Sequence, residues 1–164
     1  MPRLDAKHRA TSARRVSYAD LRASDLVIHH MPGHFIRRLQ QVAVSLFADR
    51  VGLEMTPVQF AALAAVAQRR RIDQARLSAL IGYDRATIGG VIDRLEARGW
   101  LVRSASKTDR RVKLVGMTPA GKRALARALP AVRVVQETLL QSLDAGERRV
   151  FERLCLKILA HHLG

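Results

Sequence analysis

Cysteine and long apolar runs are both nearly absent from this chain of 164 residues. The single cysteine, Cys155, excludes an intramolecular disulfide and is typical of a reducing compartment. It lies in the apolar stretch RLCLKIL, so we expect a buried packing residue and not an oxidation sensor. No apolar run approaches the roughly 18 residues of a transmembrane helix, and the N-terminal MPRLDAKHRATSARR lacks the apolar centre of a secretory signal. The sequence therefore predicts a cytoplasmic protein.

Acidic residues and the short motifs of catalysis are also scarce. The chain has 14 Asp and Glu against 29 Lys and Arg, and no paired carboxylate cluster for acid–base chemistry. It contains no GxSxG, no P-loop and no dinucleotide-binding fingerprint. We therefore expect neither an enzyme nor a protein with a cofactor.

Positive charge is what the chain has in excess. The formal net charge is +15 and the sequence pI is about 11.5. Such an imbalance favours a polyanionic partner, either nucleic acid or an anionic membrane surface. The alternative is a generally basic proteome whose arginines are simply solvated.

Helical periodicity predicts a mainly α-helical chain behind a basic N-terminal arm. Residues 1–24 are rich in Lys and Arg and poor in large apolar groups, which predicts a partly disordered arm. Residues 25–52 carry apolar side chains at helical spacing, and we expect the Pro-Gly pair at 32–33 to interrupt them, so that the main helix starts after it. Residues 119–164 predict two further helices, the second started by a capping box in DAGE.

Residues 53–118 predict a winged helix-turn-helix, with a first helix from TPVQ to about Gln68. Two helices joined by a tight turn should follow, capped by Asp73 and Asp84. WLVRS and RVKLVGM then predict two short strands joined by a polar loop. The apolar positions expected to face the core are Phe60, Leu63, Leu77, Leu80, Ile81, Ile88, Val91, Ile92 and Leu95.

The second of these two helices is the candidate recognition helix. With its apolar face turned inward, Arg85, Thr87, Gly89, Gly90 and Arg94 should lie towards solvent, where arginine and threonine suit base edges and phosphates. The two glycines lower helix stability by about 0.5–1 kcal/mol each relative to alanine. We expect them to permit close backbone approach, either to DNA or to the preceding helix.

The loop between the strands concentrates cations at a predicted hairpin tip. Its sequence SKTDRRVK places Lys107, Arg110, Arg111 and Lys113 around Asp109, which should tighten the turn and orient an arginine. Beside a recognition helix, such a tip would lie along or inside the adjacent minor groove. The alternative is a solvated charged loop. In the DNA-bound interpretation the protein associates with the nucleoid.

The stretch from Leu77 to Gly121 resembles the winged-helix core of MarR-family transcriptional regulators. Their Asp-x-Arg wing motif is present as Asp109 and Arg111, followed by Lys113 and by a Thr-x-x-Gly at Thr118 and Gly121. The resemblance implies a homodimer in which N- and C-terminal dimerisation helices interlock and bind a pseudo-palindromic double-stranded operator. It also implies repression relieved by a small aromatic or heteroaromatic acid, such as a hydroxybenzoate, a hydroxycinnamate or its CoA thioester, or a hydroxynicotinate.

The segment PGHFIRRLQQ resembles the first helix of family members that sense such acids. A carboxylate would find donors there, although side chains on different sides of one helix cannot all face one pocket. The histidines also suggest a metal site, but no cysteine or carboxylate pair is nearby to complete it, so no metal is expected. Solvated cations on an amphipathic helix are a further alternative. The candidate ligand-binding residues are Tyr18, His30, His34, Arg37 and Arg38.

A constitutive architectural DNA-binding protein, acting without an effector, is the alternative function that the charge alone permits. It is disfavoured because such a protein needs no long interlocking helices. The terminal helices also carry more apolar surface than one small winged-helix core can cover, which independently favours a dimer.

Overall fold

A computed structural model of the chain describes residues 27–52, 54–106, 108, 109 and 111–163. The predicted arm over residues 1–24 lies outside these ranges. The chain divides after Gln40 into two units, and each is described by itself. No helix of the described ranges is long and apolar enough to span a membrane.

In the first unit, a short 3-10 helix at Val27–His30 precedes helix α1, which covers Pro32–Val51 and ends in the second unit. The prediction that this helix starts after the Pro-Gly pair is wrong by two residues, because the helix starts at Pro32. Pro32 occupies the first helical position, where its missing N–H needs no partner and its fixed φ suits the helix. The amides of His34 and Phe35 then bond to the Met31 carbonyl and close the first turn.

The second unit continues with five further helices and a small sheet. Antiparallel pairing gives the sheet order β1 (Arg71–Asp73), β3 (Lys113–Met117), β2 (Leu101–Ala105), with Ile72 opposite Val115 and Leu101 opposite Met117. The two predicted strands are β2 and β3, and a third strand, β1, forms because residues 71–73 pair with β3. The elements are α2 (Pro57–Arg69), β1 (Arg71–Asp73), α3 (Gln74–Ile81), α4 (Arg85–Ala97), β2 (Leu101–Ala105), β3 (Lys113–Met117), α5 (Pro119–Leu139) and α6 (Ala145–Leu163).

Local capping signals set the helix starts as predicted. Thr56 and Gln59 form a reciprocal capping box, and Pro57 takes the first position of α2. Asp144 and Glu147 exchange the same pair of bonds at the start of α6. Each box satisfies backbone donors that the first helical turn would otherwise leave unpaired.

The core lies between α2, α3, α4, α5 and the inner face of the sheet. Leu63, Leu77 and all four predicted apolar residues of α4 are fully buried, as expected. Leu80 is not, because Ser78 takes the inner position of the short helix α3 and Leu80 remains 46% exposed. Phe60 and Ile81 are partly buried and pack against the core.

Helix α6 is different, because none of its described side chains is buried in the single chain. Its apolar residues Val150, Leu154 and Ile158 are each about half exposed. The prediction that Cys155 is buried is wrong for one chain: it is half-buried, since no other described element covers this helix fully. An uncovered apolar helix face of this kind marks an interaction surface.

Candidate nucleic-acid interface

The N-terminus of α4 is held by Asp84. One carboxylate oxygen accepts the amide of Thr87 at 2.8 Å, and the other accepts the Thr87 hydroxyl at 2.5 Å. These bonds, the hydroxyl first and then the amide, hold the pKa of Asp84 below its ordinary value. The Thr87 hydroxyl proton is therefore engaged in the cap, so the hydroxyl of this exposed residue is left to act as an acceptor.

The predicted outer face of α4 is present. Ile88, Val91, Ile92 and Leu95 are fully buried, so the helix cannot rotate without exposing its apolar side. Arg85 and Arg94 lie on the exposed side together with Thr87. The geometry thus presents two long cations and one short polar group on a rigid helix.

The two glycines of α4 differ in what surrounds them. A Cβ on Gly89 would lie 3.1 Å from Nε2 of Gln74, which donates to the Arg85 carbonyl at 2.9 Å. Gly89 therefore admits a side chain from the start of the preceding helix α3, one of the two explanations that the sequence left open. A Cβ on Gly90 would meet only the side chain of Arg94 on its own helix, at 3.6 Å.

The wing consists of β2, β3 and the turn that joins them. The Ser106 amide donates to the Val112 carbonyl, and the Val112 amide donates to the Asp109 carbonyl. Oδ1 of Asp109 accepts the backbone amide of Arg111 at 2.9 Å. Asp109 thus tightens the turn as predicted and acts on Arg111 through its backbone. Arg111 and Lys113 are exposed, whereas Lys107 and Arg110 lie outside the described residues.

Sequence reasoning missed the bridge between the wing and α4. The Arg103 guanidinium of β2 pairs with Asp93 at 2.5 Å and with Glu96, and the Arg103 amide donates to Glu96 at 3.0 Å. Bonds from the Arg103 amide and then its guanidinium lower the pKa of Glu96. Burial lowers the pKa of Arg103, but its two carboxylate partners outweigh this and raise it. Acidic residues three apart on α4, followed by a strand arginine, were the available signal.

We expect Arg103→Met to flatten the acid limb of the stability profile. A carboxyl whose folded pKa is lowered stabilises the fold above its unfolded value, and this contribution is lost as pH falls through the folded value. For Glu96 the loss should begin as pH drops below its ordinary 4.5. Urea unfolding over a pH series measures the slope, which should shrink in Arg103→Met and shrink further in Glu96→Gln. A wild-type slope in both variants would contradict the bridge.

The junction between α4, the wing and α5 is built around Trp100. Gly99, two residues after the end of α4, adopts a left-handed φ of 67°. The Trp100 carbonyl accepts the Thr118 amide at 3.1 Å, while the Thr118 hydroxyl donates to the Gly99 carbonyl at 2.6 Å and accepts the Gly121 amide. Hydrogen bonds of Thr118 therefore fix the start of α5 to Gly99 and Trp100, the residues that follow α4.

Comparison with known proteins supports this architecture. The MarR family model matches residues 55–113. The HTH-type transcriptional repressor NicR of Pseudomonas putida is 32% identical over 128 residues, which cover 77% of this chain and 81% of NicR. The chain belongs to the MarR family. It is thus a winged-helix transcriptional regulator and not an enzyme.

Solved structures of MarR-type regulators share the fold. The PcaV regulator of Streptomyces coelicolor, in complex with its natural ligand, has a TM-score of 0.79 and 31% identity over 84% of this chain and 97% of PcaV. BpsR of Bordetella bronchiseptica, whose DNA binding is regulated by 6-hydroxynicotinic acid, has a TM-score of 0.73 and 30% identity over 77% of this chain and 96% of BpsR. The expected winged-helix class of this MarR-family chain is confirmed.

The residues expected to bind a ligand lie in the first unit of this MarR-family chain. His34 is half-buried, and its Nδ1 lies 3.4 Å from the guanidinium of Arg37, one helical turn further on. Arg38 and His30 are exposed, and Tyr18 lies outside the described residues. Within the described ranges, no three His, Cys, Asp or Glu side chains are grouped to hold a metal.

Proposed function

We propose that the protein is a homodimeric repressor that binds a pseudo-palindromic operator and releases it when a small aromatic or heteroaromatic acid binds. The observation that carries the DNA-binding half is the exposed face of α4 beside the cationic wing. The bridge from Arg103 to Asp93 and Glu96 fixes the two elements to each other. Since a repressor acts on the chromosome, we place it in the cytoplasm at the nucleoid.

The proposed recognition set divides by chemistry. Arg85 and Arg94, with Thr87 between them in sequence, would contact base edges and phosphates in the major groove. The cations of the wing would lie along the adjacent minor groove, where the negative potential favours arginine. They are Arg111, Lys107, Arg110 and Lys113. Asp109 would hold the turn. Gly89 and Gly90, which have no side chain, would let the backbone of α4 approach the DNA closely.

The apolar faces of the terminal helices support the homodimer. In α6, the residues Leu156 and Leu159 are 67% and 51% exposed, and Val134 of α5 is 39% exposed. Such faces are suited to packing against the same helices of a second copy. Burying them would stabilise the dimer by about 25 cal/mol for each Å² of apolar surface removed from water. We therefore propose residues 25–52 and 119–164 as dimerisation helices and 53–118 as the DNA-binding domain.

The effector proposal starts from His34 and Arg37, which lie close enough to bind one carboxylate. Tyr18, His30 and Arg38 complete the proposed set. BpsR responds to a hydroxynicotinic acid and PcaV holds its natural ligand, so a ring acid is the chemistry to test first. Hydroxybenzoates, hydroxycinnamates and their CoA thioesters belong in the same panel.

A shift assay with promoter-derived duplexes tests the regulator. We expect binding to one duplex in preference to random DNA at moderate salt, with the apparent affinity falling by about 0.9 log units per phosphate contact for each log unit of salt. An acid from the panel should then release the operator. Equal binding to all duplexes with no response to any acid would instead identify an architectural protein.

His34→Ala is expected to blunt release by the acid while leaving operator affinity unchanged. The reason is that His34 lies outside the winged helix-turn-helix and is proposed to contact only the effector. The measurement is the acid concentration that releases half of the bound operator, which should rise about tenfold for the loss of one charged hydrogen bond. His162→Ala, an exposed histidine near the end of α6, is the matched control. An unaltered response in His34→Ala would remove this residue from the site.

A further inference from the structure

The outer edge of the sheet carries a cluster of arginines that the proposed function does not use. Three consecutive arginines end α2 and begin β1, the edge strand that pairs with β3 on one side only. Arg69 and Arg71 line one surface depression together with Arg76, from the first turn of α3, and Leu114 of β3. We call Arg69, Arg70, Arg71 and Arg76 the edge arginines.

The positive charge of the edge arginines is almost unopposed by the protein. All four residues are exposed. The side chains of Arg69, Arg70 and Arg71 make no hydrogen bond or ion pair with any residue of the described ranges. Arg76 pairs at 3.4 Å with Asp73, the one carboxylate that lines the depression. An exposed pair of this kind contributes little to stability, so the guanidinium of Arg76 can contact another anion at small cost.

Arg70 adopts a backbone conformation in which arginine is rarely found. Its φ is 61° and its ψ is −50°, and within the described ranges it is the only residue other than glycine with a positive φ. Glycine has no Cβ and reaches positive φ without a steric clash, whereas any other side chain there lowers stability. Strained residues of this kind are concentrated at functional sites. A strained arginine, at a position where glycine would fit, favours a role for its charge.

The edge arginines lie next to both elements of the proposed DNA-binding surface. The side chain of Gln74, the first residue of α3, donates to the Arg85 carbonyl at 2.9 Å. The first turn of α3, which carries Arg76, therefore lies beside the first turn of α4. β1 in turn pairs with β3, whose first residue, Lys113, is a cation of the wing. Positive charge thus extends from α4 and the wing onto the sheet edge.

A row of exposed cations fits a polymer of phosphates better than it fits other anions. Duplex DNA carries one negative charge for about every 1.7 Å of its helix axis, so neighbouring cations can each neutralise a phosphate. A small anion would instead need a concave site with converging donors. An acidic protein is less suited as well, because the centres of protein–protein interfaces are depleted in charged residues.

We infer that the edge arginines bind the phosphate backbone of duplex DNA beside the segment that α4 and the wing contact. This inference deepens the proposed function and rests on its DNA-binding half, since it adds a second contact surface to the same regulator. Phosphate contacts position a protein on the duplex and add affinity without reading its sequence. The DNA covered by the protein is therefore longer than the recognition helix and the wing alone would cover.

The test is the salt dependence of binding to a random-sequence duplex, measured by fluorescence anisotropy with the full-length protein. The edge variant combines Arg69→Gln, Arg71→Gln and Arg76→Gln. We expect it to raise the apparent Kd by about tenfold or more at moderate salt. The slope of log affinity against log salt should become shallower by about 2–3, because each lost phosphate contact removes about 0.9. Affinity for an operator should fall by the same factor, which leaves the preference for it unchanged.

A matched control separates a local contact from the effect of net charge. Arg123→Gln, Arg149→Gln and Arg153→Gln combined remove the same charge from exposed positions of α5 and α6. This control should keep the wild-type slope, and sedimentation should show the same oligomeric state for both variants. An equal loss of affinity in the two variants would overturn the inference, because the duplex would then respond only to net charge. A wild-type slope in the edge variant would overturn it as well.

Arg70→Gly tests the strained position with two readouts of opposite sign. Glycine relieves the strain at positive φ, so the urea concentration at the unfolding midpoint should rise. Affinity for the random duplex should nevertheless fall a few fold, because one cation is lost. A more stable protein that binds more weakly cannot be explained by partial unfolding. Wild-type affinity in Arg70→Gly would contradict the inference, since the strained cation would then have no DNA partner.

Failure of the proposed function gives a different pattern. The protein would then show no preference for any promoter-derived duplex and no release by an acid, yet the edge variant would still bind random duplex more weakly than its control. Failure of the inference alone would leave operator preference and release intact, while the wild type and the edge variant share one salt slope.

Discussion

Gly121→Ala is expected to destabilise the fold by about 3 kcal/mol, at the upper end of what overpacking usually costs. A Cβ at this position would lie 2.1 Å from the carbonyl oxygen of Trp100 and 2.9 Å from its carbonyl carbon. These are backbone atoms, and the same carbonyl accepts the Thr118 amide that begins α5. Neither the helix nor the Trp100 backbone can move without breaking this bond, so the strain cannot be relieved by a side-chain rotation.

Urea unfolding measures this loss of stability. The control is Gly90→Ala, the same substitution at a helical glycine of α4. The Cβ of Gly90→Ala would meet only the side chain of Arg94 at 3.6 Å, which is ordinary contact. That variant should be more stable than the wild type by about 0.5–1 kcal/mol, because alanine loses less backbone entropy in a helix. If Gly121→Ala instead unfolds at the same urea concentration as the wild type, the close approach of α5 to Trp100 does not constrain the fold.

Arg111→Ala is expected to weaken operator binding by about 1–3 kcal/mol, which is a loss of roughly 5- to 150-fold. The backbone of Arg111 is held by Asp109, so the guanidinium extends from a turn whose conformation is already set. A preorganised cation in a minor groove loses little entropy on binding and gains from the enhanced negative potential. Removing the guanidinium should also make operator affinity fall less steeply as the salt concentration rises.

Arg85→Ala provides the contrast that separates base reading from phosphate contact. We expect it to reduce the preference for the operator over random duplex more than it reduces affinity for random duplex. Arg149→Ala, an exposed arginine of α6, should leave both affinities unchanged. Fluorescence anisotropy with labelled duplexes at two salt concentrations measures all three variants. Unchanged affinity in Arg111→Ala would count against a wing contact.

The sequence was sufficient for those features that depend on neighbours along the chain. The caps at Asp73 and Asp84 were predicted, because a capping side chain bonds to amides only two or three residues away. The buried face of α4 followed from helical spacing for the same reason. Arg85, Thr87 and Arg94 are exposed as predicted, whereas Gly89 lies against the Gln74 side chain of α3.

Features that depend on distant partners were missed. The strand at 71–73 is too short to show a pattern of its own, and it exists because β3 supplies its hydrogen bonds. The Arg103 bridge joins residues ten and seven positions apart across a turn, so the acidic pair on α4 and the strand arginine do not by themselves show that they meet. Leu80 is exposed because α3 has only eight residues, too few for the apolar spacing to show which side faces the core. In the fold, Leu77 and Ser78 are the residues of α3 that are buried. Lys107, Arg110 and Tyr18 lie outside the described residues and remain predictions.

The central strand β3 holds both ends of the DNA-reading segment. It pairs on one side with β1, which precedes α3, and on the other with β2, which follows α4. The two helices of the helix-turn-helix are thus enclosed within a loop whose ends are clamped by one strand. We therefore expect α3, α4 and β3 to open as one cooperative unit, so that their slowest-exchanging amides share a common free energy of opening in hydrogen–deuterium exchange.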